Sequence, residues 1–200
     1  AVTETFSQRK TGCSITETIY SLARVAVRAR EAGLRVRGYL SCVLGCPYEG
    51  AVSDETVATL SEALIAMGCH EVSLGDTTGV GSPFRVRALI ERVARRVPPQ
   101  RLAGHFHDTW GMAAANVYAA ALAGVTVFDA SVGGLGGCPF APGATGNVAT
   151  EDLVYLFDDA GVHTGIDLQK LVDVAYWISA QLDRPVASRV ARAFNSRRPT

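Results

Sequence analysis

Apolar residues in this 200-residue chain gather into four short runs: Val36 to Leu44, His70 to Leu74, Leu102 to His107, and Val125 to Val132. Each is rich in Val, Leu or aromatic side chains and is soon followed by Gly or Pro, the pattern of a buried β-strand. Between them, apolar positions recur at helical spacing and predict helices over Asp54 to Met67, Phe84 to Val97 and Met112 to Ala123. A further helix, Thr16 to Ala32, precedes the first run. Two more, about Thr150 to Ala160 and Leu168 to Leu182, follow the last. The opening residues AVTETF read as the end of another strand. Local punctuation agrees with these boundaries. Ser14 stands three residues before Glu17, the capping-box spacing, and Gly33 closes that helix. Pro83 opens a helix where its missing N–H costs nothing, and Pro98-Pro99 ends it.

The order αβαβαβαβαα, with strand starts near residues 37, 71, 102 and 126, is that of repeated βα units. Strict alternation predicts parallel strands covered by helices. A closed (β/α)8 barrel and an open doubly wound sheet both fit, and both place function beyond the C-terminal ends of the strands. A barrel typically takes about 250 residues and eight strands, so on that reading about the first half is missing from this chain. The chain begins at Ala1 without Met, which suggests residues upstream. No linker, repeat or low-complexity segment divides the chain, so residues 1–200 read as part of one domain.

Composition narrows the function. The chain is 48% hydrophobic with 19 basic and 19 acidic residues, which excludes intrinsic disorder and a dedicated nucleic-acid binder. The one basic cluster, Arg192, Arg197 and Arg198, reads as a solvated terminus. No run of 18 apolar residues predicts a membrane span. Five cysteines, an odd number, suit free thiols in a reducing compartment. Cys42, Cys46, Cys13 and Cys69 read as such thiols, and His70 and His163 as structural histidines. Tyr155, Phe157, Tyr176 and Trp177 are expected in the core.

Three constellations could carry chemistry. In Gly104-His105-Phe106-His107-Asp108 the two histidines are two apart on a strand, so they share a face at its C-terminal end. Two neutral imidazoles so placed can ligate a divalent metal. The plainer alternative packs one and exposes the other. In Ser73-Leu74-Gly75-Asp76-Thr77, Asp76 either orients a metal-bound water or substrate hydroxyl, or simply caps a turn. The third is a loop with Gly133, Gly134, Gly136, Gly137, Gly143 and Gly146, in which backbone can approach a ligand closely. Within it Cys138 offers a thiol for proton transfer. Asn147 offers a neutral amide oxygen suited to a hard cation.

The runs GYLSCVLGCPYEG, SLGDTTGVG, HFHDTWGMAAAN and GGLGGCPFAPGATGNVATEDLVY resemble the hydroxymethylglutaryl-CoA lyase family, from about Ala1 to Phe194. The HxHD element is shared with isopropylmalate and homocitrate synthases and hydroxy-oxo-acid aldolases. The GGCP…GATGNVATED loop is more specific to the lyase. The resemblance implies a (β/α)8 barrel holding Mg²⁺ or Mn²⁺. It implies cleavage of 3-hydroxy-3-methylglutaryl-CoA to acetoacetate and acetyl-CoA, as in ketone-body formation and leucine degradation. It assigns His105, His107 and Asn147 to the metal and Cys138 to proton transfer. His105 and Asp76 join proton or substrate handling, and Ser73 and Thr77 lie near the acyl group. An acyl-CoA is then the substrate partner. Helix-clad barrel exteriors commonly pair, so a homodimer is also expected.

There are departures. The family's first strand carries an Arg-Asp pair, and its second a Glu, with no counterpart here. Thr145 stands where Ser is usual, and Asn195 near where some relatives carry a Cys. A related Claisen-type synthase or aldolase, or a catalytically incomplete fragment, is the competing reading. The Ala/Arg/Val-rich usage suggests a bacterial cytoplasmic protein, or a mitochondrial matrix one if eukaryotic.

Overall fold

The computed structural model describes residues 1–139, 143 and 145–196. Arg197 and Arg198 of the basic tail lie outside them. Four strands, β1 (Arg37–Ser41), β2 (Glu71–Asp76), β3 (Leu102–Phe106) and β4 (Val127–Asp129), form one parallel sheet in the order β1-β2-β3-β4. They are connected by α3 (Asp54–Ala66), α4 (Pro83–Val93) and α5 (Ala113–Leu122). Before the sheet come α1 (Glu4–Thr11) and α2 (Ile15–Glu31); after it come α6 (Thr150–Asp159), α7 (Leu168–Gln181) and α8 (Arg189–Asn195).

Alternation of side chains gives the sheet two unlike faces. One carries Leu40, Val72, Leu74, Leu102 and Phe106, all buried. Against it lie Val57 and Leu64 of α3, Val86, Leu89, Ile90 and Val93 of α4, and Val117 and Ala120 of α5, in one continuous core. The other face carries Arg37 and Tyr39 of β1, Glu71 and Ser73 of β2, His105 of β3 and Asp129 of β4, a polar row that no helix layer covers among the described residues. A doubly wound sheet reverses strand order part-way and places helices on both faces. This sheet runs in one direction with its apolar face alone covered, the winding of a barrel wall. Flat, β1 and β4 would stand about 14 Å apart. Arg37 nevertheless hydrogen-bonds to Asp129 at 2.7 Å, so the sheet curls toward its polar face.

Sequence expectations and structure differ at identifiable points. The opening residues are not a strand end. They lead into α1, with Val2 and Phe6 buried and the Val2 N–H donating to the Ser41 carbonyl at 3.2 Å. Val2 precedes the helix and Phe6 lies in its first turn, and a helix of eight residues is too short to show a period in the sequence. The last strand is three residues long, because the backbone leaves the sheet after Asp129. Helix α8 was not expected. Its anchor is Asp152, which accepts from Ser188 Oγ at 2.6 Å and the Val190 N–H at 3.0 Å, contacts distant in sequence. Tyr155 and Trp177 are exposed rather than in the core, whereas Phe157 and Tyr176 are packed against it. The capping box is present, with Ser14 Oγ accepting from the Glu17 N–H and the Glu17 carboxylate from the Ser14 N–H. All five cysteines are free, Cys42, Cys46 and Cys69 being buried.

Leu102 is fully buried where β3 meets the helix layer. Leu102→Ala should cost about 2–5 kcal/mol, read from urea denaturation. An unchanged midpoint would place the stabilising core elsewhere.

Candidate active site

His105 is the penultimate residue of β3, and His107 follows Phe106 on the same face as the strand gives way to loop. Their rings lie 5.4 Å apart. His107 Nδ1 is 3.0 Å from the Thr145 carbonyl oxygen, which can only accept, so this nitrogen carries the proton and Nε2 does not. His105 Nδ1 is 3.2 Å from Asp129 Oδ2. No described residue hydrogen-bonds to either Nε2. Burial lowers the His107 pKa against the Thr145 hydrogen bond, which raises it, and so favours the neutral ring.

Asn147 arrives from the far end of the glycine loop. Residues 145–149 run beside the ends of β3 and β4, with His107 paired to Asn147 and Ser131 to Ala149. The Asp108 N–H donates to Gly146 O at 3.1 Å and the Val148 N–H to Phe106 O at 3.0 Å. Two glycines make this possible. A Cβ on Gly146 would lie 1.9 Å from the Gly134 carbonyl oxygen, and one on Gly136, at φ +115°, 2.4 Å from Asn147 Nδ2. Asn147 Nδ2 donates to Leu135 O at 3.1 Å. Its Oδ1 is buried without a partner among the described residues. A buried amide oxygen left bare on a residue paired to His107 is an unmet demand for a donor or a cation. Among the described residues, no three of His, Cys, Asp or Glu gather as a metal cluster. The residues that could hold a cation here are the two imidazoles and the Asn147 amide oxygen, a set without a charged ligand.

Behind the histidines runs an ionic row that sequence reading missed. Arg37 bonds to Glu71 Oε1 through Nε at 2.7 Å, to Tyr39 Oη at 3.1 Å and to Asp129 Oδ1 at 2.7 Å. Ser73 Oγ donates to Asp129 Oδ2 at 3.0 Å. Burial pushes the Asp129 carboxyl up, but the hydrogen bonds from His105 and Ser73 and the charge of Arg37 outweigh it and hold it below its usual range. The signal in the sequence was period two: Arg37 and Asp129 stand at inward positions of apolar strands, where a charge needs a partner.

The other expected residues are placed variously. Cys138 is half-buried and free. Burial is the main cause that pushes the Cys42 thiol up to about 12. Phe140, Ala141, Pro142 and Ala144 of that loop lie outside the described residues. Its near end is pinned by Glu151, fully buried, whose two carboxylate oxygens accept from the Gly133 N–H at 2.9 and 3.0 Å. Thr77 Oγ1 accepts from the Cys42 N–H at 2.9 Å, which steadies a non-glycine residue at φ +68°. Asp76 is not brought to the histidines. It alternates onto the opposite face from Ser73, fully buried, and its Oδ2 accepts from the Gly81 N–H at 2.9 Å. Its Oδ1 has no partner among the described residues. Here it holds the loop that follows β2.

The model of the HMGL-like family matches residues 1–178. The chain belongs to that family. It is 54% identical over 193 residues to the 3-hydroxy-3-isohexenylglutaryl-CoA/hydroxy-methylglutaryl-CoA lyase of Pseudomonas aeruginosa, covering 96% of this chain and 64% of the relative. A crystal structure of hydroxymethylglutaryl-CoA lyase from Pseudomonas aeruginosa superposes with a TM-score of 0.95 at 53% identity, covering 98% of this chain and 66% of that one. A lyase structure from Acinetobacter baumannii, in complex with coenzyme A and 3-methylmalate, matches with a TM-score of 0.90 at 34% identity, covering 96% and 63%. This HMGL-like chain thus spans about two thirds of the length of the lyases it matches.

Burial raises the Asp76 pKa above its usual value, outweighing the hydrogen bond from Gly81 that lowers it. A carboxyl raised on folding favours the fold in acid and loses that contribution as pH rises through the folded pKa. Asp76→Asn keeps an acceptor for Gly81 without a buried charge. It should therefore gain stability relative to the parent as pH rises above about 4, with the gap closing in more acid solution. Chemical denaturation from pH 3 to 8 measures this, and a parent more stable than the variant at neutral pH would contradict it.

Proposed function

We propose that this chain is the C-terminal part of a (β/α)8-barrel lyase that cleaves 3-hydroxy-3-methylglutaryl-CoA to acetoacetate and acetyl-CoA. The observation that carries the reading is Asn147 Oδ1, buried and bare on a residue paired to His107, one of two neighbouring imidazoles whose Nδ1 atoms are already engaged. The one-directional sheet, open at both edges, supports a barrel wall continued by further strands. His105, His107 and Asn147 would hold a divalent cation, Mg²⁺ or Mn²⁺. When bound, such an ion polarises a substrate oxygen and lowers the pKa of its hydroxyl.

The remaining chemistry falls to the chain. Transfer of the tertiary hydroxyl proton to water lets the C–C bond break, with the electron pair passing to the thioester-bearing carbon. That carbon needs a proton, which the Cys138 thiol would give. His105 borders the path of the hydroxyl proton. Ser73 and Thr77 would lie near the acyl group; Ser73 is bonded to Asp129, and Thr77 holds the Cys42 N–H. Asp76 acts from behind by fixing residues 77–81. The glycine loop over the strand ends would keep water from the carbanion. Five free thiols suit a reducing compartment, the bacterial cytoplasm or the mitochondrial matrix. No described helix is long and apolar enough to cross a membrane.

The test is acetoacetate release from the thioester with Mn²⁺, by this chain and by a version extended to the lyases' full length. The extended version should turn over, and Cys138→Ala in it should lose about 10²-fold or more while keeping Mn²⁺ affinity. His107→Ala should instead weaken Mn²⁺ binding. Turnover unchanged by the loss of Cys138 would remove the thiol from the mechanism. An extended version inert on this substrate would overturn the reading.

A further inference from the structure

Each imidazole of the candidate site meets an acceptor at Nδ1, but the two acceptors differ in kind. His107 meets the Thr145 main-chain carbonyl at 3.0 Å, fixed by the path of the loop. His105 meets a side chain, Asp129 Oδ2 at 3.2 Å. That carboxylate is held from two other strands. Ser73 Oγ on β2 donates to the same oxygen at 3.0 Å, and Arg37 Nη1 on β1 donates to the other at 2.7 Å. Arg37 is itself locked by Glu71, which His70 Nε2 also approaches at 3.1 Å. Four strands thus contribute to one placement of one carboxylate. Asp129 and His105 are register partners on β4 and β3, so their side chains rise from the same level of the sheet.

A neutral imidazole has one bare nitrogen, and the hydrogen bond at the other decides which it is. We propose that Asp129 is a positioning residue that sets the tautomer of His105, taking its Nδ1–H and leaving Nε2 bare toward the strand ends. Arg37 and Ser73 orient the carboxylate for this task. The purpose of the arrangement rests on the metal-dependent reading above; the arrangement itself is testable without metal.

The measurement is nitrogen-15 NMR of the imidazole nitrogens at a pH where both rings are neutral. In the unaltered chain, His105 and His107 should both show a protonated Nδ1. In Asp129→Asn the amide oxygen stays on the Arg37 guanidinium, so its NH₂ turns to His105 and favours a bare Nδ1 with the proton on Nε2. His107 should keep its signals, which reports that the site has stayed folded. Mn²⁺ affinity should fall about 10–100-fold. An Nε2–H tautomer at His105 in the unaltered chain overturns the proposal. So does an unchanged tautomer in a folded Asp129→Asn. If that variant does not fold, the spectrum of the unaltered chain decides alone. Tautomers as expected, but no Mn²⁺ binding by the extended protein, would uphold the role of Asp129 and overturn the metal reading.

Discussion

The Arg37 guanidinium is the constraint around which the polar face is built. A charge taken from water must be matched or neutralised, and here Glu71 and Asp129 match it from two different strands. Because the partners stand on β2 and β4, satisfying the charge also curls the sheet. The polar face tolerates few shifts in register, since displacing β4 would strand Arg37 and release Asp129 from Ser73 and His105. Packing energy holds the layer together, and charge pairing determines where the site residues stand within it.

From that row the order of support runs outward. Asp129 faces His105, and His105 stands beside His107. The carbonyl of Thr145 meets His107, and the segment carrying Thr145 also carries Asn147. Glu151 pins the other end of the glycine loop through Gly133. Cys138 lies between these anchors.

Buried carboxyl groups serve different ends in this chain. Asp129 is kept ionised by an arginine and two donors. Asp76 and Glu151 face mainly backbone N–H groups, and burial raises the pKa of each. The difference separates a group that organises charge at the site from groups that tie loops to the scaffold. Residue type alone cannot make that distinction. Asp76, in its SLGDTTG motif, carries the stronger chemical suggestion, whereas Asp129 in TVFDAS carries almost none.

The amino-acid sequence by itself determined the alternation of strands and helices and the parallel sheet. The apolar runs have the length of strands, and the intervening segments have the period and caps of helices. It also marked the histidine pair, Asn147 and the glycine loop, because these signals are local: two residues apart, or one composition over a short stretch. What it left open was whether the sheet winds one way or two, a matter of which edge each strand joins. It also left open which inward-facing charges meet. Arg37 and Asp129 are 92 residues apart, and only the curl of the sheet brings them together. The face on which Asp76 falls depends on strand register, because a shift of one residue exchanges the two faces. Helices α1 and α8 are short, and tertiary contacts at Ser41 and Asp152 hold them in place. Segments of that length have too few turns to form on propensity alone, so only the folded chain could reveal them.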